Sequence, residues 1–358
     1  MIKQTESRTT NNRTSHDLPP KIFNHSPGEF AQEFNRLPFG VSHNLGEHPL
    51  FEIPRLIELA KTLWALAGSK VLFQDGGAAF ENRWDEIPKK ALSFINGIRD
   101  IQQSGSWVLL KSIQEDAEYQ ACIDQCVSEL SELTSVDLKK EITWIDGYIF
   151  IASPGAVTPH HIDHESNFLL QVHGEKNINV CDPDDRSVLF EEEIENYYAG
   201  DLSAAGFKSV SQEKAYVFPM VPGKGVHIPS KGPHWVRNDK QYSVSFSINF
   251  CMRETDVKSR IYQCNHYLRK LDFTPTPPGR SAAKDWLKIA ALSSLGKGKV
   301  ANKYELLRKN TNRLEGASRI IEKVLRRPAN PPTDPKTVSA TEASRTNSRK
   351  LETNTGDN

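Results

Sequence analysis

Apolar and polar positions change rhythm along this chain, and each change marks a different kind of structure. From Ile53 onward, Leu56, Leu59, Ala60 and Leu63 recur at helical spacing, with Pro54 where a first helical turn tolerates it. Further helices are expected over Pro88–Gln102 and Asp116–Leu133, and the short run Trp107–Leu110 between them reads as a buried strand. From Ile142 the pattern shortens to strands parted by Pro, Gly and Asp turns: Ile142–Ala152, Asn167–Val172, Lys176–Cys181, Lys214–Phe218, Gly225–Ile228 and Tyr242–Phe250. The last alternates most cleanly. Tyr242, Val244, Phe246, Ile248 and Phe250 share one face, and Ser243, Ser245, Ser247 and Asn249 share the other. After Thr255 helical spacing returns over Asp256–Leu271, Ala282–Leu295 and Lys303–Arg326.

Several short strands with turns between them predict a mainly β fold, an antiparallel barrel or double-sheet jelly roll with flanking helices. The expected division is a core at 141–255, α/β elements at 21–140 and helices at 256–327. Residues 1–20 and 328–358, rich in Thr, Asn, Ser and Pro, are expected to be disordered because they offer too little apolar surface to offset chain entropy.

Composition narrows the class further. Only 37% of the 358 residues are hydrophobic, and no run approaches the roughly 20 apolar residues of a membrane span. The first residues lack the apolar stretch of a secretory signal, and five cysteines with no C-x-x-C spacing read as reduced thiols of a cytoplasmic protein. The 45 basic and 45 acidic residues cancel, but 21 of the basic and only 10 of the acidic ones follow Thr255. Without aromatic interleaving, that excess reads as a solvated helix surface rather than a nucleic-acid site.

Histidine supplies the chemistry. Six of eleven histidines lie between positions 160 and 234. In Thr158-Pro159-His160-His161-Ile162-Asp163-His164, His161 and Asp163 are two apart and share one side of an extended strand. A second group follows in Pro222–Pro229, which contains His227, and in Gly232-Pro233-His234-Trp235. Two imidazoles and one carboxylate, one pair close together and the third ligand on a later strand, make up the facial triad of non-haem Fe(II) oxygenases, which leaves open positions on the metal. Lys176 begins a strand on the side of Ile178 and Val180. If that side faces the core, its ammonium needs an anion, which a dicarboxylate would supply.

These pieces in this order resemble the JmjC-type (cupin-fold) 2-oxoglutarate oxygenases, nearest to the asparaginyl hydroxylase branch that includes the factor inhibiting hypoxia-inducible factor. The resemblance lies in T-P-x-H-x-D at 158–163, N-F at 167–168, Q-V-x-G-x-K at 171–176, P-G-x-x-x-x-I-P at 222–229 with His234 beyond, and N-F at 249–250. It implies a double-stranded β-helix core and His161, Asp163 and His234 as ligands of Fe(II). It also implies Lys176 and Thr158 on the distal carboxylate of 2-oxoglutarate, with Asn167 and Asn249 lining the co-substrate pocket. The implied activity is hydroxylation of a protein or peptide side chain, with succinate and CO2 as co-products. A homodimer through the C-terminal helices is implied as well, while their amphipathic pattern is equally consistent with packing on the chain's own barrel. The chain departs from the pattern at Lys224, where the family has Asp, and at Cys251, where it has an aromatic; Tyr148 is the candidate for the family's co-substrate tyrosine. The competing readings are a non-catalytic cupin that binds a partner, and a cupin using another metal without 2-oxoglutarate, which would leave Lys176 without a purpose.

Overall fold

The computed structural model describes residues 17–83 and 93–294, together with Leu314 and Arg319. The start of the Pro88–Gln102 helix, most of the Lys303–Arg326 helix and nearly all of both expected disordered ends lie outside the described residues. In chain order the elements are β1 (Phe39–Ser42), α1 (Ile53–Leu66), β2 (Val71–Asp75), α2 (Phe94–Arg99), β3 (Ser106–Lys111), α3 (Ala117–Thr134), α4 (Leu138–Glu141), β4 (Ile142–Ala152), β5 (Val157–His161), β6 (Ser166–His173) and β7 (Lys176–Val180). There follow α5 (Glu191–Tyr198), α6 (Ser209–Lys214), β8 (Tyr216–Met220), β9 (Lys224–Ile228), β10 (His234–Asn238), β11 (Ser243–Met252), α7 (Arg253–Lys270) and α8 (Ala282–Ser294).

The strands form two antiparallel sheets, ordered β1-β9-β6-β11-β4-β3-β2 and β5-β10-β7-β8. This is the mainly β double-sheet architecture expected from the sequence. The N-terminal region does not stand apart from it, because β1, β2 and β3 extend the larger sheet.

The alternation in β11 sets the architecture. Its apolar face, Val244, Phe246, Ile248 and Phe250, packs outward into one continuous core with Leu56, Leu59 and Leu63 of α1 and Tyr119, Ile123 and Leu130 of α3. Phe246 lies against Phe51 at 5.5 Å between ring centroids. The helices therefore cover the outside of the larger sheet, and the polar face of β11 is turned inward between the sheets. Asp116 caps α3 by accepting from the Glu118 N–H at 3.1 Å. The β6–β7 turn depends on Gly174 at φ +69, where a Cβ would collide with the Tyr242 carbonyl. That turn sets where Lys176 enters its strand.

Several sequence expectations need correction. Lys214 ends α6, so the fourth expected strand is displaced to Tyr216–Met220. Cys181 lies beyond β7, and the described part of the second helix covers only Phe94–Arg99. Strands β5 and β10 and helix α5 were not foreseen. All five cysteines are buried and free. No helix among the described residues is long and apolar enough to cross a membrane.

Candidate metal and co-substrate site

Strands β5 and β10 pair so that His161 and His234 are direct register partners, with ring centroids 4.1 Å apart. Each imidazole is oriented by a carbonyl two residues back. His161 Nδ1 meets the Pro159 oxygen at 2.8 Å, and His234 Nδ1 meets the Gly232 oxygen at 3.0 Å. A carbonyl only accepts, so Nδ1 carries the proton on both rings and each Nε2 presents a lone pair. Both lone pairs converge on Asp163 Oδ2, at 3.7 Å from His161 and 3.8 Å from His234. Ligand atoms of the three residues lie within 4.8 Å of one another. Burial holds His234 well below the usual histidine range, with the neighbouring His161 acting in the same direction, so it stays in the neutral, ligating form.

Asp163 does not share a strand with His161, contrary to the expectation from their spacing. β5 ends at His161, so Asp163 lies on the loop beyond it, and that loop rather than strand alternation brings its carboxylate round.

Lys176 shares the cavity. It pairs with Asn238 on β10, four residues beyond His234 on the same face, or roughly 13 Å of strand. Its side chain is 6% exposed. Among the described residues its ammonium has one hydrogen bond, to Ser245 Oγ, which in turn donates to Gln171 Oε1 at 2.7 Å. With no carboxylate beside it, burial alone pulls the lysine from 10.5 down to about 7.

All seven residues named from the sequence, His161, Asp163, His234, Thr158, Lys176, Asn167 and Asn249, line one cavity of about 320 Å³ between the sheets. Asn167 Oδ1 is buried there without a hydrogen-bond partner. Asn249 is less free, since its amide is held by Asp146 O at 3.3 Å and by Ser247 Oγ at 3.2 Å. Tyr148, Lys111, Glu165 and Tyr197 also line the cavity; of these only Tyr148 had been singled out in the sequence. The donor set suits a divalent ion of imidazole and carboxylate preference, and the buried ammonium suits a small anionic co-substrate.

The other histidines serve the fold. His160 turns away from the donor set, with Nδ1 on the Ala205 oxygen at 3.1 Å and its ring beside Trp235. His227 is fully buried among Phe34, Phe39 and Phe168. Its Nδ1 meets the Asn167 oxygen at 3.0 Å and its Nε2 accepts from the Asn35 N–H at 3.2 Å. His173, at the end of β6, pairs with Glu47 at 3.0 Å and stacks on Tyr242. Arg237 lies over the Phe80 ring at 4.8 Å.

Fold and site together define a double-sheet β protein with a facial donor set inside. Residues 82–256 match the model of the cupin-like domain family. Jumonji C domain-containing protein 5 of Drosophila melanogaster is 30% identical over 112 residues, which are 30% of this chain and 27% of that protein. The chain thus aligns with little more than a quarter of that relative's length. Among solved structures, Escherichia coli YcfD aligns over 84% of this chain and 67% of its own, at 13% identity and a TM-score of 0.41. The same protein, described as a ribosomal oxygenase in complex with cobalt and 2-oxoglutarate, aligns over 83% and 65%, at 13% identity and a TM-score of 0.40.

Proposed function

We propose that this chain is an Fe(II)- and 2-oxoglutarate-dependent hydroxylase acting on a protein or peptide side chain. The proposal is made for the JmjC class as a whole, which contains the asparaginyl hydroxylase branch that the sequence resembles. One observation carries it: a three-residue imidazole–carboxylate donor set and a buried lysine ammonium, with no carboxylate partner among the described residues, line the same cavity.

His161, Asp163 and His234 would hold the metal on one face. Iron bound there supplies the coupling of O2 reduction and 2-oxoglutarate decarboxylation to insertion of one oxygen atom into a C–H bond, with succinate and CO2 as co-products. Lys176 binds the distal carboxylate of the co-substrate and so recovers the cost of its own burial. The Thr158 hydroxyl donates to the same carboxylate, and Asn167 and Asn249 bound the pocket between lysine and metal. Leu169, Ile178 and Val236 keep that end of the cavity dry, which strengthens the lysine–carboxylate attraction. The Asp163 side chain is 40% exposed, so a substrate reaches the donor set from its side.

The test is succinate formation by the full chain supplied with Fe(II), 2-oxoglutarate and O2, followed by a search of a treated lysate for products heavier by one oxygen atom. Wild type releases succinate, and Asp163→Ala does not. Unchanged turnover in Asp163→Ala refutes the assignment, and co-substrate binding without any decarboxylation favours a non-catalytic cupin.

A further inference from the structure

Asp163 is the member of the donor set that lies outside the strand ladder, so its place depends on what holds the loop after His161. The next residue is tethered at every polar group. The His164 N–H donates to Tyr197 Oη at 3.1 Å, and its carbonyl accepts from Ser230 Oγ at 2.8 Å. Its Nε2 lies 2.9 Å from Asp256 Oδ1, and its Nδ1 lies 3.0 Å from Tyr198 Oη. Asp256 is itself fixed by the Thr143 hydroxyl, which donates to Oδ2 at 2.6 Å. The Asp163 carbonyl accepts from the Lys231 N–H at 2.8 Å.

The proton positions follow from chemistry. A carboxylate only accepts, so Nε2 carries hydrogen toward Asp256, and Nδ1 accepts from the tyrosine hydroxyl. Cys251 Sγ lies in the same cluster, within 4.8 Å of the histidine and aspartate ligand atoms. With both ring nitrogens engaged, however, His164 has no lone pair left for a second metal.

We propose that Asp256 and Tyr198, acting through His164, are positioning residues that set where the Asp163 carboxylate stands and thereby the affinity and geometry of the metal at the donor set. The inference rests on the hydroxylase reading only as far as a divalent metal binding at His161, Asp163 and His234. Tyr198 of α5 and Asp256 of α7 thus govern the ligand by way of its chain neighbour His164. Outer partners of this kind typically change metal affinity by about 10–100-fold when removed.

The experiment titrates the full apo chain with Co(II), reading both the dissociation constant and the ligand-field spectrum below each variant's melting transition. Asp256→Ala weakens binding by about tenfold or more and alters the spectrum. Asp256→Asn, which keeps an acceptor for the His164 N–H, restores most of the affinity. Tyr198→Phe keeps the ring stacked on Tyr262 and weakens binding in the same direction, which covers the case in which Asp256→Ala does not fold. Wild-type affinity and spectrum in both Asp256→Ala and Tyr198→Phe overturn the proposal, whatever the melting temperatures. A second Co(II) per chain that Cys251→Ser removes also overturns it, because His164 would then be a ligand. If wild type itself binds no Co(II), the metal reading fails as a whole.

Discussion

His161 and His234 face each other across two paired strands, and both direct Nε2 at one oxygen of Asp163. The two rings are placed by the ladder and turned by their own backbone carbonyls. Such preorganisation predicts that the rings themselves are dispensable to the fold. His234→Ala should lose metal binding while keeping the wild-type circular dichroism spectrum, and a collapse of both together would show that the pair is structural.

Lys176 makes a prediction of opposite sign for stability and binding. Its value in the fold, about 7, is depressed from 10.5, so its contribution is favourable above the unfolded value and is lost as pH falls toward 7. The full loss is roughly 5 kcal/mol below about pH 7, an upper figure since water entry would soften it. Lys176→Met should therefore raise the melting temperature of the apo chain and abolish 2-oxoglutarate binding. Wild type should take up a proton on binding the co-substrate near pH 8, seen in calorimetry as a dependence on the buffer's ionisation heat. An unstabilised variant that still binds the co-substrate would remove the lysine from its assigned role.

Acid should unfold the chain through two histidines away from the metal ligands. Burial pulls His43 down to about 4 and His227 down to about 3. Both stay neutral in the fold at pH 5 while the unfolded chain takes up protons. Their stabilisation is therefore complete above about 6.5 and lost as pH falls toward 4, and each loses about 2 kcal/mol by pH 5. Urea unfolding at pH 7.5 and pH 5 measures their loss together with that of His160 and His266, which burial also pulls down to about 4, and equal free energies at the two values would contradict the buried neutral assignment.

The two faces of β11 should respond differently to truncation. Phe246→Ala opens a cavity in the core beneath α1 and α3 and should cost about 3–5 kcal/mol. Ser247→Ala removes one hydrogen bond to Asn249 and should cost about 1 kcal/mol. Chemical denaturation of the two variants checks the contrast, and similar losses would mean that the inward face also packs as core.

The alternation of β11 was legible in the sequence, but which way its serine face turns was not, because that face is buried only by the second sheet. The residues named from the sequence line one cavity: the two histidines, the aspartate and Lys176 stood out by type and spacing, and Thr158, Asn167 and Asn249 only through the family resemblance. What could not be read was the pairing that juxtaposes them. Pro159 interrupts β5, which tolerates it as the edge of its sheet, and Pro233 directly precedes β10, so neither segment shows a strand pattern. The supports of the aspartate were equally hidden: Asp256 lies 92 residues from His164, and no local periodicity links them.

The most direct test of the account is anomalous scattering at the iron edge from crystals of the full chain, loaded anaerobically with Fe(II) and 2-oxoglutarate. The account predicts one iron peak within bonding distance of His161 Nε2, Asp163 Oδ2 and His234 Nε2, with the co-substrate reaching back to Lys176. No peak there, or a peak among His164, Cys251 and Asp256 instead, would contradict it.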